Sequence, residues 1–387
     1  MSAMTRRRKL TLAILIAVAL AGAAAAARPY LRAAAMIVHV IGAEGRARAA
    51  ADFVNRRRFS EDTISLPTRH GPVRARVYQP DSATGRAVLA MPGVNPAGID
   101  EPRLVTFARA LARAGRPTIT IELPDLTRYR ITSRDVDRIE DAAVWLSGQR
   151  ALTGGRPFGL TGVSFAAGLT VTAAGRASLK GQLAFVASFG AHGDLRRVVR
   201  FLCTGELPDG TRARPHDYGL AVILLNVLDR LVPPGQIEPL REAVLTFMDA
   251  SWLDLTDDEA ARRAFARARA LQAALREPSA TIMRWVNDRD VETAGPRLLP
   301  HALVIASDPA LSPERSPATG APVYLLHGDG DNVIPTQESE RLAAWLAPRT
   351  RVRLLVTPLL IHVEAGQQWQ MRDAWALLRF WTAALQE

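Results

Sequence analysis

The sequence predicts an α/β protein: a doubly wound, mostly parallel sheet with a helical cap insertion and an N-terminal hydrophobic helix. Short buried strands alternate with amphipathic helices from about residue 73 onward, which is typical of a parallel sheet covered by helices on both faces. The alternation lapses over residues 195–322, where helical segments follow one another, and then resumes. A composition of 48% hydrophobic and 22% charged residues fits a globular chain of 387 residues.

The strands of this sheet are indicated by apolar alternation or by short continuous apolar runs. They are predicted at residues 73–78, 87–91, 118–121, 158–161, 184–189, 323–326 and 351–356. Helices with 3.6-residue spacing are predicted between them at residues 104–114, 136–146, 165–177, 337–346 and 367–385. Within the insertion, helical spacing recurs at residues 221–231, 239–248 and 257–275, among Pro-rich pieces that predict irregular structure.

The N-terminal unit, residues 1–32, has the pattern of a membrane anchor or a secretory signal. A basic cluster, residues 6–9, precedes an apolar run over residues 10–27. Eighteen helical residues span about 27 Å, close to the roughly 30 Å of a bilayer core. An uncleaved anchor would hold the remaining chain on the extracytoplasmic side. A signal cleaved at the Ala-x-Ala sequence of residues 25–27 would release it, and an Ala-rich buried helix is the third alternative.

The positive charge is concentrated near the N-terminus, which argues against a nucleic-acid partner. The net charge is +11, but residues 1–58 hold 11 basic and 2 acidic residues, so 38 basic and 36 acidic residues remain for 59–387, a balance of +2. No dense basic patch is left for a phosphate backbone. Residues 33–64 are predicted to be a linker or juxtamembrane segment, in which the apolar patch 33–41 could lie along a membrane surface.

The segment around Ser164 is the most informative for chemistry. An apolar strand runs directly into a helix through Gly162-Val163-Ser164-Phe165-Ala166. A serine on such a sharp strand-to-helix turn is exposed above the helix N-terminus, whose unpaired amides can stabilise an oxyanion. Ala166 departs from the G-x-S-x-G pattern at its second glycine. Ser164 could instead be a helix N-cap, the commonest role of serine at this position.

A carboxylate and an imidazole follow two later strands of the predicted sheet. Asp331 lies in an acidic loop after the strand at 323–326, and His362 lies just past the strand at 351–356. Ligands bind at the carboxyl ends of strands in open α/β sheets, so these groups are expected near Ser164. The chain order Ser, Asp, His is that of a nucleophile, orienter and general base. The alternatives are a turn-forming Asp331 and a structural His362.

These segments resemble the α/β-hydrolase superfamily, over roughly residues 65–387 without the insertion. The resemblance rests on the turn at Ser164, on H-G-x-x-D-x-V-I-P at residues 327–335, and on His362 about thirty residues later. It implies a hydrolase core of residues 65–194 and 316–387 with a cap of residues 195–315. It implies Ser164 as nucleophile, His362 as general base and Asp331, not Asp329, as its orienter.

The resemblance also implies an oxyanion hole. One donor would be the Phe165 amide, and the other would follow the strand at 87–91, where Val94 is the preferred donor and Asn95 the alternative. The family's frequent His-Gly sequence is replaced there by Met91-Pro92-Gly93. His327 is expected to shape its loop, and His192 could line the site.

The function that these residues predict is hydrolysis of an apolar ester or related acyl compound through an acyl-enzyme. No cofactor or metal is required, and H-E-x-x-H, C-x-x-C pairs, P-loop and dinucleotide-binding motifs are absent from the sequence. The single cysteine, Cys203, excludes an intramolecular disulfide and a cysteine-cage zinc site. The alternative function is a non-catalytic, membrane-associated module with a degenerate hydrolase fold. The specific acyl class and the oligomeric state are not determined by these residues.

Overall fold

The computed structural model describes residues 22, 25–254, 257–360 and 370–387. Eight strands form one sheet in the order β1-β2-β4-β3-β5-β6-β7-β8. Their bounds are β1 Phe59–Leu66, β2 Val73–Pro80, β3 Val88–Met91, β4 Thr118–Ile121, β5 Phe158–Val163, β6 Leu183–Phe189, β7 Val323–Gly328 and β8 Val352–Thr357. Only the β1–β2 and β2–β4 pairs are antiparallel. The predicted mostly parallel sheet is confirmed.

Helices lie before, between and after these strands. Residues 25–40 form α1, and the others are α2 Gly45–Val54, α3 Pro102–Arg113, α4 Arg134–Gly148, α5 Arg150–Thr153, α6 Phe165–Ala174, α7 Leu195–Thr204, α8 Asp217–Val227, α9 Pro234–Leu253, α10 Asp258–Ala274, α11 Ser279–Asn287, α12 Val291–Ala306, α13 Thr336–Leu346 and α14 Met371–Ala384. Six of them, α7 to α12, are consecutive between β6 and β7, where the sequence predicts the helical insertion.

Successive residues of the central strands pack into two different cores, as period-2 alternation requires. On β7, Val323 and Leu325 belong to the larger core, which also contains residues of α4, α6, α13 and the insertion. Tyr324 and Leu326 belong to the opposite core, with residues of α3 and α14. The sheet is therefore covered by helices on both faces, and the carboxyl ends of its strands converge at one edge.

The two ends of the insertion are joined to the core by a partly buried ionic cluster. The Glu338 carboxylate on α13 is fully buried and accepts hydrogen bonds from the Gly193 and Asp194 amides, at 2.9 and 3.0 Å. Arg197 donates to Glu338 (2.6 Å) and, through both terminal nitrogens, to Glu314 (2.8 and 2.7 Å). Arg197 thus connects the entry of the insertion, its exit and α13.

Two features of residues 33–64 correct the predicted linker. Residues 59–64 belong to β1, which pairs with β2 along its whole length. Ala33, Ala35 and Met36 are buried, and Met36 packs in the core that contains α14. The apolar patch at 33–41 therefore covers protein rather than a membrane surface over these positions, because α1 turns its apolar side toward the domain.

The predicted anchor, residues 10–27, falls almost wholly outside the described residues. Within the part of the chain that the structure describes, no helix combines the length and the apolar character needed to cross a bilayer.

Candidate active site

Ser164 lies at the junction of β5 and α6 in a strained backbone conformation. Its φ is 55° and its ψ is −133°, a region that favours glycine, and such strain costs about 1–3 kcal/mol. The Ser164 amide donates to the Phe189 carbonyl at 2.7 Å, and the Ser164 carbonyl accepts from the Ala167 amide at 2.8 Å. These bonds hold the sharp turn that the sequence predicts. The Ser164 side chain makes no capping bond to the first turn of α6 in the described chain, so the alternative N-cap role is not found.

Of the two small residues that flank the turn, only the one at position 162 must be glycine. A Cβ built on Gly162 would lie 2.3 Å from Thr170 Oγ1 and 2.7 Å from the Ala166 carbonyl oxygen. Ala166 itself has room for its Cβ and is fully buried. Its departure from the family pattern therefore does not disturb the turn.

Two candidate oxyanion donors lie beside Ser164. Phe165 is the first residue of α6, so its amide has no intrahelical acceptor and sits at the positive end of the helix dipole. A Cβ built on Gly93 would lie only 3.3 Å from the Ser164 Cβ, so the backbone just before Val94 contacts the serine. The structure brings Phe165 and the Gly93–Val94 segment together with Ser164.

A tyrosine from the insertion holds the second of these segments. The Tyr218 hydroxyl donates to the Val94 carbonyl at 2.9 Å. Burial raises the pKa of Tyr218 well above its usual value, so the hydroxyl remains a donor. Because the peptide is planar and trans, this bond also aims the Asn95 amide away from the tyrosine. No sequence signal pointed to Tyr218, since its role depends on how the insertion packs.

Asp331 lies in the loop after β7, at the same edge of the sheet. Its Oδ1 accepts hydrogen bonds from the Val333 and Ile334 amides at 2.8 and 3.0 Å, as a turn-forming aspartate does. Its Oδ2 lies 3.3 Å from Nε2 of His327. The turn-forming role is thus present, and it fixes the carboxylate in a rigid loop, as an orienting aspartate also requires.

His327 is a structural part of this loop, as the sequence predicts. The ring is fully buried, and its Nε2 lies 2.9 Å from the Ile334 carbonyl while its Nδ1 lies 2.6 Å from the Ser339 hydroxyl. Since a carbonyl only accepts, Nε2 carries the proton.

His362 falls in residues 361–369, outside the described residues. The chain enters that segment after β8, the strand that pairs in parallel with β7. Because β3, β5, β6 and β7 are also parallel, the described structure brings the serine, aspartate and oxyanion segments to one sheet edge. The position of the histidine stays a prediction.

His192 packs against Phe165 of the turn at Ser164 rather than lining the site. Its fully buried ring stacks on Phe165, with centroids 4.9 Å apart and planes 12° apart. Nε2 donates to the Leu311 carbonyl at 2.8 Å. Burial lowers the pKa of His192, so the ring is neutral.

The described residues contain no group of three or more His, Cys, Asp or Glu side chains that could hold a metal ion. The chemistry available at this edge is that of a hydroxyl, backbone amides and a carboxylate. These groups are the ones that acyl transfer to a serine uses.

Comparison with known proteins finds similarity only among solved structures. No protein-family model matches the sequence, and no curated protein matches it. An esterase of Pyrobaculum calidifontis is 15% identical with a TM-score of 0.43, over 84% of this chain and 86% of the esterase. A dienelactone hydrolase of Anabaena variabilis is 16% identical with a TM-score of 0.42, over 84% and 96%. Carboxyl esterase 2 of Tuber melanosporum is 14% identical with a TM-score of 0.44, over 85% and 86%. Likeness this low assigns no activity to the chain.

Proposed function

We propose that the protein is a serine hydrolase that cleaves carboxylic esters or related acyl compounds through an acyl-enzyme. The observation that supports this most is the backbone of Ser164, held at φ 55° between a buried strand and a helix N-terminus. Strain of this kind persists where the surrounding structure over-determines it, and it clusters at functional sites. A purely structural serine gains nothing from it.

In the proposed reaction, the Ser164 oxygen attacks the acyl carbon while its proton passes to His362. The negative charge that develops on the carbonyl oxygen is stabilised by the amides of Phe165 and Val94. The alcohol leaves with the proton from His362. Water, deprotonated by the same histidine, then cleaves the acyl-enzyme, and the histidine returns that proton to the Ser164 oxygen as the acid leaves. Asp331 orients the imidazole. An apolar acyl or alkyl group is proposed from the apolar helical segments of the insertion, of which α8 contacts the candidate site through Tyr218.

A fluorophosphonate probe tests the nucleophile directly, since it reacts with activated serines. The full chain is expected to be labelled and S164A to remain unlabelled. S147A is the matched control, because Ser147 only bonds the Val144 carbonyl on α4, and it should label like the unmodified protein. H362A and D331N should hydrolyse nitrophenyl esters at rates lower by several orders of magnitude. Absence of labelling in folded protein would refute the proposal and favour a non-catalytic module.

The proposal includes an extracytoplasmic location, with residues 10–27 as an anchor or a cleaved signal. Its support is the basic cluster followed by the apolar run. Detergent but not salt should extract an anchored form from membranes, whereas a cleaved form should be released and lack the first residues on mass spectrometry. A full-length protein in the soluble cytoplasmic fraction would refute it.

A further inference from the structure

A cavity of about 190 Å³ in the insertion is lined mainly by arginines and aromatic rings. It opens between α9, α10 and the end of α11. Its lining residues are Phe247, Arg262, Phe265, Arg269, Asn287 and Arg289. All three guanidinium groups are exposed to solvent, and only that of Arg289 has a carboxylate partner among the described residues.

The arginines of α10 fall into two pairs with different surroundings. Arg263 pairs with Glu259, and Arg267 lies 3.4 Å from Glu242. Arg262 and Arg269, seven residues apart on the face toward the cavity, have no ion-pair partner among the described residues. The unneutralised charge of the helix therefore faces the cavity.

The third arginine is held in place from two sides. The Arg289 guanidinium lies over the rings of Phe247 and Phe265, 5.7 and 5.6 Å from their centroids. It also pairs with Asp217 at 3.1 Å. Its own φ is 54°, a conformation unfavourable for a residue with a side chain. These contacts position one cationic group over an aromatic floor.

Asp217 connects this cavity to the candidate active site. The amide of the preceding residue, His216, donates a hydrogen bond to the Asn332 carbonyl at 2.9 Å. Asn332 follows Asp331 in the loop after β7. The residue after it, Tyr218, donates to the Val94 carbonyl. The start of α8 thus contacts both catalytic loops and, through Asp217, the arginine of the cavity.

From this placement we infer that the cavity binds an anionic group, a carboxylate or a phosphate, at the end of the substrate remote from the ester bond. The inference rests on the proposed ester hydrolysis and narrows its substrate class to apolar esters with a negatively charged end. Guanidinium groups bind such anions through paired, charge-assisted hydrogen bonds, and the two phenyl rings hold the Arg289 guanidinium at the edge of the cavity.

Matched esters and matched charge variants test this inference. Two pairs of substrates place the charge on either side of the ester: 4-nitrophenyl glutarate monoester against 4-nitrophenyl pentanoate, and 3-carboxyphenyl pentanoate against phenyl pentanoate. For each pair, the ratio of kcat/KM of the anionic ester to kcat/KM of its neutral partner is measured. In R262Q/R269Q this ratio should fall at least about tenfold for one of the two pairs, because KM for the anionic ester rises. The control R263Q/R267Q removes the same charge from the paired arginines and should keep the wild-type ratio.

Direct binding separates this inference from the proposed hydrolysis. Calorimetric titration of the S164A protein with glutarate and with inorganic phosphate measures anion binding without any reaction, and R262Q/R269Q in the same background should lose it. Comparing the two ligands distinguishes a carboxylate site from a phosphate site. Ester hydrolysis that depends on Ser164 but has an unchanged anionic-to-neutral ratio, with no titratable binding, would overturn the inference alone. Absence of fluorophosphonate labelling in the folded, unmodified protein would overturn the hydrolysis and leave the binding result to stand by itself.

Discussion

Replacing Ser164 by glycine should stabilise the protein relative to replacing it by alanine. Both variants remove the hydroxyl, so both should lose fluorophosphonate labelling. They differ in backbone freedom, because Ser164 has φ 55° and ψ −133°, which glycine adopts without the strain that alanine retains.

The size of the difference follows from two opposing terms. Relief of the strained conformation contributes about 1–3 kcal/mol in favour of glycine. Glycine also increases the conformational freedom of the unfolded chain, which costs about 0.4–1 kcal/mol. The free energy of unfolding of S164G should therefore exceed that of S164A by about 0.5–2 kcal/mol. With an unfolding entropy of about 2.1 cal/mol/K per residue and 387 residues, this corresponds to a Tm higher by roughly 0.6–2.5 °C.

Thermal and urea unfolding of the two proteins measure this difference, and an ordinary position provides the control. Ser147 lies inside α4, and its hydroxyl bonds the Val144 carbonyl of the same helix, a bond that glycine and alanine both lose. S147G should therefore be less stable than S147A, by about 0.5–1 kcal/mol. If S164G is no more stable than S164A while S147G and S147A behave as expected, the strain at the turn is absent and the support for a nucleophilic Ser164 is removed.

Three further predictions concern the surroundings of the site. Burial raises the pKa of Cys203 to about 12, so at pH 8 its thiolate fraction is about 10³-fold below that of a free thiol. A thiol reagent should therefore modify Cys203 only in denaturant. Rapid modification of the native protein would contradict this. R197M should lower the free energy of unfolding in urea by about 2–4 kcal/mol, because it leaves the buried Glu338 carboxylate without its cation; an unchanged midpoint would show that the ionic cluster is not formed. G168A places a Cβ 2.3 Å from the His192 ring and should destabilise the protein by about 1–3 kcal/mol; a calorimetric Tm equal to that of the unmodified protein would contradict this packing.

The central sheet was predictable because its strands are continuous apolar runs buried on both faces. The prediction of residues 118–121 matches β4. The edge strand β1 was not predicted, because its sequence Phe-Ser-Glu-Asp-Thr-Ile-Ser-Leu is mostly exposed and carries no apolar run. The Pro-rich pieces of the insertion were predicted to be irregular, but α12 contains Pro296 and Pro300 within a continuous helix. Tertiary packing there outweighs the local cost of proline.

The candidate site was predictable as far as it depends on strand ends. Ser164 and Asp331 follow β5 and β7, and chain order alone places both at one sheet edge. The support for them was not predictable: Tyr218 reaches Val94 from the insertion, and His192 stacks under Phe165 from the segment after β6. Such contacts depend on how separate segments fold back on the sheet, which no local pattern encodes. His362 lies outside the described residues and remains a prediction.

The contacts of Arg197 bear on how this protein's specificity can change. Because one guanidinium bonds both Glu314 and Glu338, the start and the end of the insertion keep a fixed distance from each other, independently of the sequence of the helices between them. Mutations within α9 to α11 can therefore reshape the arginine-lined cavity while the turn at Ser164 keeps its geometry. In the proposed hydrolase, selection for a new ester would act first on those helices.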